Sequence, residues 1–109
     1  MSSKAPAQSI VEILKSRGET VSVAESLTGG GLGHALTQVP GASAVFSGGV
    51  IAYTADVKVK LLGVNQLTID AHTVVSEEVA LEMAQGAINT FGTTLAIATT
   101  GIAGPGDYM

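Results

Sequence analysis

The 109-residue sequence contains no cysteine and only two histidines, His34 and His72. Without thiols, the chain can form neither a disulfide bond nor a thiolate metal site. The two histidines are far apart in sequence and neither has a partner that the sequence reveals. We therefore expect no metal site, because histidine-based sites need several ligands that converge.

Aromatic and charged residues are also scarce, at 4% and 13% of the chain, whereas apolar residues make up 46%. This balance favours a buried core and argues against disorder. Because aromatics are so few, the core must be built from Val, Ile, Leu and Ala. The length suits one small domain, and we assign residues 1–109 to a single domain.

Runs of basic residues and long apolar runs are absent too, and the net charge is −4. A surface for nucleic acid or for an anionic membrane is therefore not expected. No apolar run is long enough to cross a bilayer, and the polar segment Met1 to Gln8 lacks the apolar centre of a signal peptide. We predict a soluble, cytoplasmic protein.

The hydrophobic pattern predicts helices that alternate with short strands. Strands separated by helices imply α/β layering with parallel pairing. The segment from Val64 to Val75 is predicted to be mostly connection. The predicted helices are Ser9 to Arg17, Gly31 to Gln38, one from the Thr54 cap to Gly63 and one from the Ser76 cap to Phe91, and the predicted strands are Thr20 to Ala24, Ala44 to Tyr53 and Leu95 to Thr99.

The first strand leads through Ser26 and Thr28 into three glycines and then a helix. The N-terminus of a helix has unpaired N–H groups and partial positive charge, which stabilise anions. Taken alone, Ser26 and Thr28 are better explained as helix caps. The consecutive glycines favour a ligand that approaches the backbone closely, because each glycine weakens a helix start.

Tyr53 and Lys58 follow the second strand, in the region where α/β proteins form their sites. Spacing alone favours a rim aromatic and a solvated surface cation. If Lys58 were buried beside Ser26, its pKa would fall and its neutral amine could act as a base.

A second glycine-rich loop runs from Thr100 to Gly106. It is either an ordinary turn or a backbone nest for an anion or polar substrate. The loop does not match a Walker phosphate loop, because the Gly-Lys-Ser/Thr element is missing. The first glycine-rich junction does not have the Gly-x-Gly-x-x-Gly spacing of dinucleotide-binding proteins.

Five ordered blocks of the sequence resemble the CinA C-terminal domain family, which includes the nicotinamide-nucleotide amidases, also called NMN deamidases. The Glu-Ser-x-Thr-Gly-Gly signature of that family is matched, with Leu27 where many members have cysteine. The blocks are Glu25 to Gly30, Val39 to Ser43, the pair Tyr53 and Lys58 followed by Leu61 to Val64, Ala71 to Glu77, and Thr100 to Gly106.

This resemblance implies a three-layer α/β/α sandwich, of which the chain is expected to cover the N-terminal two-thirds or so, with the C-terminal part missing. The implied activity is hydrolysis of the carboxamide of nicotinamide mononucleotide, with no metal or organic cofactor. We also expect a homo-oligomer, because an apolar sheet edge without its missing C-terminal cover favours association with another chain. An alternative is a non-catalytic nucleotide- or anion-binding or oligomerisation module. The implied catalytic residues are Ser26, Tyr53 and Lys58, and the implied substrate-binding residues are Thr28, Gly29, Gly30, Thr100, Gly101, Gly104 and Gly106.

Overall fold

The computed structural model describes residues 5–100 as helices that alternate with parallel strands. The predicted strands and long helices are all present, with ends that differ by a few residues. The elements are α1 (Pro6–Arg17), β1 (Val21–Glu25), α2 (Gly31–Thr37), a 3₁₀ turn (Ala42–Ala44), β2 (Phe46–Ile51), α3 (Ala55–Leu62), α4 (Gln66–His72), α5 (Glu77–Phe91) and β3 (Leu95–Ala98).

The three strands form a parallel sheet in the order β2-β1-β3, so β1 is the central strand. Every residue of β1 is buried, because helices cover both faces of the sheet. The connections are crossovers, as parallel pairing requires: α2 lies between β1 and β2, and α3 to α5 lie between β2 and β3.

Two hydrophobic clusters lie on opposite faces of this sheet, which gives the predicted three-layer α/β/α sandwich. Alternate residues of β1 face opposite sides, so Val21 and Val23 contribute to one cluster and Ala24 to the other. The first cluster joins β1 to α1 and α2, and the second joins it to α3, α4 and α5. Their buried members are Val11, Leu14, Val21, Val23, Leu36, Ala42 and Val45 in the first, and Ala24, Ala52, Leu62, Val64, Ile69, Val79, Met83 and Ala87 in the second.

The glycine pair Gly48 and Gly49 in β2 lies next to a bulge and at a close approach of two backbones. The pairing register shifts after Val21, which pairs with Phe46 while the next residue of β1 pairs with Gly48. A Cβ on Gly49 would collide with the side chain of Val23 and would lie 2.8 Å from its carbonyl oxygen. Glycine at this position therefore lets β2 pair closely with β1.

The prediction that residues 64–75 are mostly connection is wrong, because α4 lies within them. The side chain of Asn65 caps α4 by accepting the N–H of Leu67 at 2.9 Å. From α5, Glu82 accepts the Asn65 N–H at 2.8 Å and the Thr68 hydroxyl at 2.6 Å. A helix of seven residues is too short to be stable by itself, so these tertiary contacts form it.

The predicted second strand, Ala44 to Tyr53, is too long at both ends. Ala44 belongs to the 3₁₀ turn, and β2 ends at Ile51, so Tyr53 lies outside the strand. Within residues 5–100, no helix is both long enough and apolar enough to span a membrane.

Candidate functional site

The structure brings Ser26 and Lys58 together at the carboxyl end of the central strand. Ser26 directly follows β1, and Lys58 lies in the middle of α3. The Lys58 Nζ lies 3.0 Å from the Ser26 Oγ, and both residues are completely buried. The condition under which Lys58 was expected to act as a base, burial beside Ser26, is therefore met in the structure.

The amine of Lys58 also contacts two main-chain carbonyl oxygens, those of Ala52 at 2.7 Å and Tyr53 at 3.2 Å. Burial lowers the pKa of Lys58, because the charged form loses its hydration. A neutral amine has two N–H groups and one lone pair. When its N–H groups donate to the two carbonyls, the lone pair is left to accept the hydroxyl proton of Ser26.

Tyr53 was predicted to be catalytic, and the structure places its main chain beside Lys58 through the carbonyl contact. Its side chain is half exposed. Any residue at this position would supply the same carbonyl, so the contact does not itself explain a tyrosine. The role of the phenol stays a prediction.

Glu25, the last residue of β1, was not singled out by the sequence as a site residue, yet its carboxylate lies at the N-terminus of α2. Its carboxylate is almost completely buried and accepts the N–H groups of Leu32 at 2.9 Å and Gly33 at 2.8 Å. Burial raises the pKa of Glu25, but hydrogen bonds from the Thr28 side chain and from the backbone of Gly33, Leu32 and Gly30 outweigh it, so the net pKa is lowered. An internal anion thus fills the end of the helix where an external anion was expected.

The N–H groups of the glycine turn are used mainly to build the turn itself. Gly29 donates to the carbonyl of Ser26 at 3.1 Å, and Gly31 donates to that of Thr28 at 2.9 Å. Gly30 has φ +100°, a conformation that residues with a Cβ rarely adopt. The substrate-binding roles of Thr28, Gly29 and Gly30 stay predictions.

Two threonines at the end of β3 connect other segments to the site. The Thr99 hydroxyl accepts the Ser26 N–H at 3.3 Å and lies 2.9 Å from the Thr28 hydroxyl. The predicted substrate-binding residue Thr100 donates to the carbonyl of Val74 at 2.7 Å. The remaining predicted residues of this loop, Gly101, Gly104 and Gly106, lie outside the described residues.

The two histidines lie in different surroundings: His34 lines a cavity beside Glu25 and Gly30, whereas His72 faces an acid of α5. His72 Nδ1 lies 3.7 Å from a carboxylate oxygen of Glu78, on the outer helices. Among residues 5–100, no group of three or more His, Cys, Asp or Glu side chains could hold a metal ion.

The model of one family, described as the CinA C-terminal domain, matches residues 3–108. The chain belongs to this family. Among curated proteins, a CinA-like protein of Parasynechococcus marenigrum is 55% identical over 89% of this chain and 23% of its own length. A CinA-like protein of Chlorobaculum tepidum is 53% identical, with the same coverage of 89% and 23%. The chain therefore spans about a quarter of the length of the curated relatives that it matches.

Solved structures of this family have the same fold. The competence/damage inducible protein CihA from Agrobacterium tumefaciens is 41% identical, with a TM-score of 0.88 over 98% of this chain and 68% of the other. A competence-damaged protein (CinA) superfamily protein from Escherichia coli is 34% identical, with a TM-score of 0.87 over 91% of this chain and 58% of the other.

Proposed function

We propose that this domain hydrolyses the carboxamide of nicotinamide mononucleotide to nicotinate mononucleotide and ammonia, with Ser26 as nucleophile and Lys58 as base. The substrate comes from the resemblance to the CinA C-terminal domain family. The mechanism is supported chiefly by one observation, the distance of 3.0 Å between Lys58 Nζ and Ser26 Oγ in a fully buried setting.

In this mechanism, the neutral amine of Lys58 takes the proton of Ser26 as Oγ attacks the amide carbon. The resulting ammonium donates three hydrogen bonds, for which Ser26 Oγ and the carbonyls of Ala52 and Tyr53 are the acceptors. Lys58 then gives a proton to the leaving nitrogen, and ammonia departs from an acyl-serine ester. Water attacks that ester with Lys58 again as base, which releases the acid and restores Ser26.

The tetrahedral oxyanion needs donors near Ser26 Oγ. No acceptor among residues 5–100 takes the N–H groups of Leu27 and Thr28, whereas Gly29 and Gly31 donate within the turn. In enzymes with a serine on a strand-to-helix turn, the N–H of the next residue commonly stabilises the oxyanion. We therefore assign the oxyanion to the N–H groups of Leu27 and Thr28.

Ammonia release from nicotinamide mononucleotide tests the proposal directly. Ser26→Ala and Lys58→Met are each expected to lower kcat by about a thousandfold or more, because the two residues act as one unit. Activity of the unmodified protein should rise with pH through the lowered pKa of Lys58, since only the neutral amine accepts a proton. Lys60→Met is the matched control, because Lys60 lies on the same helix but is exposed and paired with Asp56 at 3.0 Å.

Hydroxylamine provides a second measurement, since it should intercept the acyl-serine ester and yield a hydroxamate. Turnover by Ser26→Ala within severalfold of the unmodified protein would contradict the assignment of the nucleophile. Loss of activity in Lys60→Met equal to that in Lys58→Met would contradict the assignment of the base.

One observation favours a second candidate, a nucleotide- or anion-binding module without turnover. Ser26 is completely buried, so a substrate carbonyl must displace part of its cover to reach Oγ. Calorimetric binding of nicotinamide mononucleotide with no release of ammonia would support this alternative. It would also show that the pair of Ser26 and Lys58 is a structural polar contact.

A further inference from the structure

Thr99 lies where the central strand, the neighbouring strand and the nucleophile turn meet. Its own N–H donates to the carbonyl of Ala24 at 2.9 Å, which fixes its backbone against β1. Its hydroxyl lies at 3.3 Å from the Ser26 nitrogen and at 2.9 Å from the hydroxyl of Thr28. One side chain thus contacts both the backbone of the proposed nucleophile and the turn that follows it.

The hydrogen bonds of this cluster form a short chain. The Ser26 N–H can only donate, so Thr99 Oγ1 accepts it. The hydroxyls of Thr99 and Thr28 share a second hydrogen bond of 2.9 Å, which either of them can donate. The chain therefore runs from the Ser26 N–H through Thr99 to Thr28.

Regular elements hold both sides of this chain. Thr99 directly follows β3, and its N–H is bound to the carbonyl of Ala24 in β1. Glu25, the last residue of β1, precedes Ser26, and its carboxylate is held by the N–H groups of Leu32 and Gly33 at the start of α2. These contacts resist movement of the turn between them.

We infer that Thr99 is a positioning residue: its hydroxyl holds the main chain of Ser26 and the turn that follows, which directs the serine toward Lys58. This inference rests on the proposed function for its effect on rate. Because the contact is to the main chain of Ser26, loss of the Thr99 hydroxyl keeps the side chains of Ser26 and Lys58 chemically intact. It does, however, allow the turn that carries Ser26 to move. Small errors in position lower rates strongly, by about a hundredfold for a shift of about 1 Å.

Thr99→Val removes the hydroxyl at nearly constant volume, and Thr99→Ser retains it. We expect Thr99→Val to lower kcat by about tenfold or more with little change in KM, and Thr99→Ser to recover most of the loss. The pH at which activity rises should not move, because Lys58 keeps its surroundings. Thr28→Val combined with Thr99→Val should lower kcat no more than the stronger single change, since both break the same chain.

Thr94→Val is the matched control at the opposite end of β3. The Thr94 hydroxyl accepts the Thr20 N–H and donates to the Thr20 carbonyl, both at 2.8 Å, so this variant also loses two hydrogen bonds of the same strand. It does not touch Ser26, and its kcat is expected to match that of the unmodified protein. Equal losses in Thr94→Val and Thr99→Val would show a general effect on the strand and would overturn the inference.

Amide hydrogen exchange at Ser26 gives a measurement that needs no substrate. Thr99→Val should speed exchange of the Ser26 N–H by about tenfold or more relative to Thr94→Val, because its acceptor is lost. If the unmodified protein releases no ammonia but this exchange result holds, the proposed function fails and the positioning of Ser26 stands. Unchanged exchange at Ser26 in Thr99→Val overturns the positioning itself.

Discussion

Burying the amine of Lys58 makes folding depend on pH, because the charged form loses its hydration when the chain folds. The pKa of Lys58 is lower in the folded protein than in the unfolded chain, where the pKa of lysine is about 10.4. Between these two values, the unfolded state binds more protons. The free energy of unfolding must therefore rise with pH across that window.

Lys58→Met should remove this dependence. We expect the free energy of unfolding of the unmodified protein, minus that of Lys58→Met, to increase with pH by at most about 1.4 kcal/mol per pH unit. Urea unfolding of both proteins from acidic to alkaline pH measures the difference. The exposed Lys60→Met serves as control. If the free energy of unfolding of the unmodified protein minus that of Lys58→Met did not change with pH, folding would not alter the titration of Lys58.

The sequence allowed part of this residue-level arrangement to be predicted. Ser26 was singled out by its strand-to-helix turn together with the resemblance to the family, and Lys58 was expected to act as a base only if it lay buried beside Ser26. Glu25 was missed because the sequence does not show that its carboxylate turns onto the start of the next helix. Thr99 was missed because its role depends on which strands are neighbours. Thr99 contacts Ser26 across 73 positions of sequence, and no local pattern records that contact.

At the level of elements, helix α5 packs closely against the end of α3 at Gly86. A Cβ on Gly86 would collide with the carbonyl oxygen of Leu62. Alanine normally favours a helix over glycine by about 1 kcal/mol. At Gly86 we expect alanine to be less stable than glycine, because the added methyl group must push the two helices apart.

Gly86→Ala is expected to lower the free energy of unfolding by about 1–3 kcal/mol, the usual effect of overpacking. Gly31→Ala is the control, because Gly31 starts α2 with open space around its Cβ position. That variant should be neutral or slightly stabilised. Urea unfolding at neutral pH distinguishes the two, and a stabilised Gly86→Ala would show that the helices have room between them.

The elements that the sequence predicted well are those with a strong local pattern. Helix α5 has a Ser76 cap, two acids in its first turn and a stripe that ends at Gly92. By contrast, α4 has seven residues and depends on Glu82, a residue of another helix. The ends of β2 were misplaced because the apolar pattern continues past the last paired residue, Ile51.

Across the whole molecule, parallel pairing assembles the candidate site at one edge of the sheet. Ser26 follows β1, the two carbonyls that bind Lys58 follow β2, and Thr99 follows β3. The carboxyl ends of parallel strands meet at the same edge, so segments far apart in sequence converge there. The two hydrophobic clusters, however, contribute unequally, because α3 with Lys58 belongs to only one of them.

This asymmetry predicts that two equivalent core changes will affect activity differently. Val11 lies in the cluster on the α1 face at 2% exposure, and Val64 lies in the cluster on the α3 face at 1% exposure. Val64 also donates its N–H to the carbonyl of Lys58 at 3.2 Å. Replacement of either valine by alanine removes buried methyl groups and should cost on the order of 1–3 kcal/mol of unfolding free energy.

Only Val64→Ala should lower the rate of ammonia release from nicotinamide mononucleotide in the absence of denaturant, because a cavity beside α3 lets Lys58 move relative to Ser26. Val11→Ala should keep the rate of the unmodified protein while its urea midpoint falls by a similar amount. Paired rate and urea measurements on both variants test this. Equal rates in the two variants would show that the α3-side core does not position the base, and a greater loss in Val11→Ala would place the sensitive packing on the opposite face of the sheet.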